Sequence, residues 1–224
     1  MGLFAQGKRG WPIVRVPSKA MSGTPSAVAI TISPAAQPLV HIIEADQAPL
    51  LAKAFFGGGD PGPITATMAH VPELMEVALP FLGTILSPSN VDFRTKEIVI
   101  LRTSALLACR YCVDSHTTVA LDAGLSADEA HTLRNELGSI TTTFSDPREQ
   151  ALIAWIDAVA TGTGRVAPVT RAAMGKLFAE HEIVELTVLI GATMLLNRYA
   201  SALELPVGAD TITRLAAEGF ERFP

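Results

Sequence analysis

The chain has 224 residues, 49% of them hydrophobic and 17% charged, with a formal net charge of −5 and a mean hydropathy of +0.34. That is enough apolar side chain for a real core in one large domain or two small ones, while the charge balance offers no basic footprint for nucleic acid or an anionic membrane surface. Two cysteines exclude a disulfide framework and point instead to redox or metal chemistry in a reducing, cytoplasmic setting.

Residues 1–40 are rich in Pro, Gly, Ser and Thr and are expected to form an irregular arm, with one short strand at the alternating patch 27–32. Lys8 and Arg9 lead into Trp11 and Pro12 rather than into an apolar h-region, so no secretory leader is expected. From about Glu44 the apolar spacing is helical nearly everywhere, and residues 41–224 are expected to form a single helical domain. Helices are predicted near 45–56, 62–69, 71–86, 93–107, 109–123, 127–137, 147–161, 168–180, 182–203 and 209–220, with a kink at Pro80. Start signals support the map: Asp92, Ser126 with Glu129 as a capping box, and Asp146 followed by Pro147 and Glu149. Stops are expected at Gly57 to Gly59, Gly124 and Gly138. No apolar run reaches the roughly 18 residues of a membrane span, and no run of strands follows residue 44. The fold class is therefore all-α.

Setting residues 96–101 over 181–186, an offset of 85, gives four identities in six positions. Such a short match does not separate a repeat from chance; a true repeat would keep the helix pair and lose the cysteines, placing Met194 under Cys109.

Chemistry concentrates in one turn of chain. The only cysteines, Cys109 and Cys112, form a C-x-x-C with His116 four residues on. On a helix, Cys109 and Cys112 are i, i+3 neighbours and His116 lies one further turn along the same face. A free thiol titrates near ~8.5, and a helix N-terminus and the adjacent Arg110 both favour the reactive thiolate. Glu97 is the nearest acid of interest, yet twelve residues of straight helix would set it about 18 Å from Cys109. It can join the site only if the chain bends sharply around Leu106, Leu107 and Ala108.

Glu97, Cys109, Cys112 and His116, within the stretch 94–116, resemble the AhpD-like alkylhydroperoxidase branch of the carboxymuconolactone decarboxylase superfamily. The similarity runs from about residue 62 to 206 and includes Glu182 and the Leu-Leu-Asn197-Arg-Tyr stretch. The resemblance implies a compact all-α domain assembling into homotrimers or homohexamers, with no cofactor or metal. It implies a small-molecule hydroperoxide as substrate and a dithiol as reductant. Carried over by residue, Cys112 attacks the peroxide, Cys109 resolves the sulfenic acid into a Cys109–Cys112 disulfide, and Glu97 and His116 relay protons. The family's founding peroxidase has a histidine just before the second cysteine; this chain has Tyr111, a poorer proton carrier near neutral pH.

Other uses of the same residues stand beside this. An i, i+3 cysteine pair also suits plain core packing, and Cys, Cys and His supply only three ligands toward a tetrahedral zinc. His41, His70, His131 and His181 read as surface or capping residues, and Asn197 and Arg198 as ties between helix ends or subunits. At the level of function, a lyase acting on a carboxylated lactone and a non-enzymatic, redox-responsive oligomer are the alternatives to a peroxidase.

Overall fold

The computed structural model describes residues 37–57, 59–135 and 138–224, so most of the expected arm, including the strand patch 27–32, lies outside the described residues. Among the described residues there are ten α-helices and one 3-10 helix and no strand, and 66% helix overall. The α-helices are α1 (Pro63–Met68), α2 (Pro72–Leu86), α3 (Phe93–Leu106), α4 (Arg110–Asp122), α5 (Ala127–Leu133), α6 (Ile140–Thr143), α7 (Pro147–Ala160), α8 (Pro168–Leu177), α9 (Glu180–Ala202) and α10 (Ala209–Ala217).

The start signals work as their chemistry requires. Asp92 accepts from the Thr95 N–H at 2.8 Å, Asp146 accepts from the Arg148 N–H at 2.8 Å, and Ser126 and Glu129 exchange both bonds of a capping box at 3.2 and 2.7 Å. Differences from the predicted map have local causes. The helix expected over 45–56 is only a 3-10 turn, Leu50–Phe56, because Pro49 holds Ala48 out of the helical region. The helix expected to run to 137 stops at Leu133, where Asn135 takes φ 63° as the left-handed cap; the sequence pointed to Gly138. The short α6 had no sequence signal, whereas α2 contains Pro80 in its interior as expected.

α3 is the centre of the body, packed against α4, α7 and α9, with α9 also touching α2, α4, α7 and α8 and with α10 lying on α4. Every residue of α3 from Lys96 to Ala105 is buried, so each charge on it needs a partner. Lys96, fully buried, donates to the Ile85 carbonyl at 2.9 Å and to that of Ser87, and lies 2.7 Å from Glu185 of α9. Arg102 forks onto Asp157 of α7 at 2.7 and 3.0 Å. Glu97 turns toward α4.

α9 has the length and mean hydropathy, 1.3, to cross a membrane, which corrects the expectation that no segment reaches that measure. It packs against five other helices, with 39% of that apolar stretch buried. It also corrects the repeat: the position set under Cys109, Met194, lies inside one unbroken 23-residue helix, so the second copy does not keep a helix pair.

Candidate active site

The sharp bend exists, and it is a helix cap. At the end of α3 the Cys109 N–H donates to the Ser104 carbonyl at 3.0 Å and the Ala108 N–H to the Ala105 carbonyl at 3.1 Å. This is the bonding pattern of a Schellman motif, whose C′ residue must be left-handed. Ala108 holds that position at φ 51°, a conformation that costs an L-residue about 1–2 kcal/mol and is usually given to glycine. α4 therefore starts at once and folds back along α3.

Cys109 is the N-cap of α4: its sulfur accepts from the Cys112 N–H at 3.3 Å. The two cysteines are joined as a disulfide across a Cα–Cα distance of 5.3 Å. Both are buried, Cys109 completely and Cys112 with 4% of its surface exposed. The helix end thus favours the Cys109 sulfur, whereas the sulfur assigned the attack by resemblance, Cys112, is the more accessible one and has His116 one turn along its helix face.

The fold back brings Glu97 to His116. Glu97 Oε2 lies 2.9 Å from His116 Nδ1, and the carboxylate is 2% exposed while the imidazole is partly open. A ring N–H held on a carboxylate leaves Nε2 as the basic nitrogen and steadies the charged ring once it takes a proton. Tyr111, in the first turn of α4, packs against the cluster formed by the two cysteines, Ala200 and Leu205. Burial pushes its phenol above the ordinary value, only partly opposed by a hydrogen bond to Ser115, and the charge of Asp60 raises it further. Tyr111 thus walls the cysteine pair with a phenol that burial makes harder to ionise.

The expected site residues therefore fall into two contacts on α4, Glu97 with His116 and Tyr111 with the cysteine pair. The other histidines stay apart from it: His41 pairs with Gln47 at 2.9 Å, His70 lies 2.8 Å from the His41 carbonyl, His131 stacks on Phe220, and His181 is exposed. Asn197 does tie helices, donating from α9 to the Ser104 hydroxyl of α3 at 3.0 Å.

Sequence reasoning missed the support behind α4. Asp114 is fully buried and accepts from Arg222 Nε at 2.5 Å and from the Phe223 N–H at 2.9 Å. Arg134 reaches the Glu221 carbonyl at 2.7 Å. Segment 218–224 is thereby fastened over the helix that carries the cysteines. Only the unusual Asp two residues after Cys112 hinted at it, and a partner 108 residues away has no local signature.

A family model described as the carboxymuconolactone decarboxylase family matches residues 72–142, the span of α2 to α6 that holds Glu97, both cysteines and His116. No curated protein matches the chain. Among solved structures, a protein of unknown function from Agrobacterium tumefaciens, named as a candidate AhpD antioxidant-defence protein, is 25% identical, with a TM-score of 0.58 over 64% of this chain and 96% of that one. An uncharacterised peroxidase-related protein with an alkylhydroperoxidase AhpD core, from Ralstonia eutropha, is 16% identical, with a TM-score of 0.67 over 79% of this chain and 96% of that one. A debrominase with one cysteine changed to alanine, in complex with 2,3,4-tribromopyrrole, is 16% identical, with a TM-score of 0.67 over 81% of this chain and all of that one; these last two share the fold. The family match over the site-bearing helices and the all-helical neighbours support placing the chain with the AhpD-like branch of the carboxymuconolactone decarboxylase superfamily, to which it is similar in both fold and motif.

Proposed function

We propose that the chain is a thiol-dependent peroxidase that reduces an organic hydroperoxide through the Cys109–Cys112 pair and is returned to the dithiol by a small dithiol reductant in a reducing cytoplasm. The observation that carries this is the buried Glu97 carboxylate on His116 Nδ1, one helix turn from a C-x-x-C pair already close enough to bond.

The steps balance with the residues present. His116 Nε2 takes the Cys112 thiol proton, and the Cys112 thiolate attacks the outer peroxide oxygen. The O–O bond breaks, Cys112 becomes a sulfenic acid, and the leaving alkoxide takes the proton held on His116 to depart as the alcohol, returning the ring to neutral. The Cys109 thiol then attacks the sulfenic sulfur, releasing water and forming the disulfide, and an external dithiol reduces it by exchange. The N-cap hydrogen bond on Cys109 favours its thiolate for the resolving step. Glu97 orients the ring and stabilises its protonated form.

Turnover of cumene hydroperoxide with dithiothreitol, beside loss of a carboxylated lactone, tests the reading. Hydroperoxide consumption that disappears in Cys112→Ser and falls to at most one turnover in Cys109→Ser is the expected result. Steady turnover by Cys112→Ser with Cys109→Ser dead would reverse the two roles, and lactone loss without peroxide loss would replace the peroxidase by a lyase.

A further inference from the structure

A cavity of about 400 Å³ opens where the start of α4 meets the end of α9 and segment 218–224. Its size is in the range of sites that hold a small organic ligand. Ala108, Tyr111, Ala200 and Leu205 form apolar walls. Ala200, Leu205 and Tyr111 also pack directly on the two cysteines, so the cavity and the thiol pair share the same wall of side chains.

Its charged groups are Arg110, Arg222 and Glu204. Arg110 makes no side-chain hydrogen bond or ion pair among the described residues. Arg222 uses Nε for Asp114, which leaves its two terminal nitrogens available. Glu204 is exposed and sits, like Ala108, at a left-handed cap, φ 53°, with the Leu205 N–H on the Ala200 carbonyl at 3.0 Å. Both ordinarily glycine positions beside this cavity therefore carry side chains, at a conformational cost. Guanidinium groups lining a partly apolar pocket match a carboxylate by paired, charge-assisted hydrogen bonds.

We propose that this cavity binds the carboxylate of an amphipathic organic molecule and that, resting on the peroxidase reading above, it selects carboxylate-bearing organic hydroperoxides over neutral ones. The carboxylate sits on Arg110 and Arg222, and the apolar body lies over Tyr111 and Leu205. Glu204 opposes the ligand charge and limits affinity.

Calorimetric titration of the full chain with octanoate and with octanol tests the site without any turnover. Octanoate binds at least about tenfold more tightly, the order of one charge-assisted pair; Arg110→Ala removes the difference, and Glu204→Gln tightens octanoate binding a few-fold. Arg110 is exposed, so its removal leaves the core intact, which far-UV dichroism checks. Equal binding of the two probes, no octanoate binding, or an unchanged preference in Arg110→Ala overturns the proposal. Turnover of a carboxylate-bearing hydroperoxide against its methyl ester then separates the two claims. A higher kcat/KM for the acid supports the selectivity and equal values refute it. Octanoate binding with neither peroxide consumed retains the site and removes the peroxidase reading.

Discussion

Glu97, Lys96 and Arg102 are consecutive illustrations of what a buried charge requires. All three lie on a helix that is otherwise core, and each faces a different neighbour that supplies the opposite charge or a set of carbonyls. Lys96 closes the end of α2, Arg102 clamps α7, and only Glu97 is paired with an imidazole, His116, a ring that can both accept and donate a proton. That difference separates a structural charge from a candidate catalytic one. Glu97→Gln keeps the shape and a hydrogen bond but loses the negative charge that stabilises a protonated ring. Thiol alkylation by iodoacetamide in the reduced protein is expected to slow by about 10²-fold, the scale of losing a positioned acid–base group, with the melting temperature retained. Unchanged alkylation kinetics would remove Glu97 from the chemistry. In sequence, Glu97 was legible only through family resemblance and on condition of a bend; Asp114 and Arg222 were not legible, because nothing local marks a pair formed across the chain.

The element that decides the site is the turn between α3 and α4. Its bonds are those of a glycine-capped helix end, yet the left-handed residue is Ala108. Glycine there removes the steric cost of the conformation, against a smaller loss from the greater freedom of the unfolded chain. Ala108→Gly is therefore expected to raise stability by about 0.5–1 kcal/mol, read as an upward shift in the urea midpoint with an unchanged slope. A lower midpoint would mean that the alanine methyl packs usefully at the cavity wall. The same turn chemistry explains why caps were partly predictable. Gly124 and the capping box of α5 carry ordinary signals, whereas Ala108 and Glu204 are left-handed positions held by residues that seldom advertise them.

Over the whole molecule, ion pairs bind the helices and apolar faces remain outside. Burial works against ionisation of Glu129 and Glu185, but Arg94 and Lys96 outweigh it and hold both carboxyls below the ordinary value of 4.5; a backbone hydrogen bond from Ala179 does the same for Glu182, assisted by Arg148. A depressed folded value means stability that is complete above the unfolded value and is lost as these groups take up protons. Chemical stability should thus be level above about pH 5 and decline below about 4.5, as denaturation at stepped pH would show; a decline beginning near pH 6.5 would point to histidine instead. Outside, Val71 capping α2 with Leu74, Val77 and Phe81 along it, and Val184, Val188 and Leu195 along α9, are exposed apolar residues on helices that touch each other. We propose that further copies of the chain cover this face, as a homotrimer or a hexamer of trimers. Light scattering at micromolar concentration is expected to give a multiple of the 23.6 kDa chain mass, and a single monomeric species would refute it.

The all-α class, most helix positions and the cysteine–histidine motif were determined by the sequence itself, because apolar period, side-chain caps and i, i+3, i+4 spacing act within a turn or two of chain. The tertiary structure alone decided that Glu97 reaches His116 after a left-handed turn at an alanine, that α9 runs unbroken through the core, and that Arg222 closes a cavity beside the thiols. Those outcomes depend on packing and charge pairing between residues far apart in the chain, where the free energy of burial, and not local preference, chooses the partner.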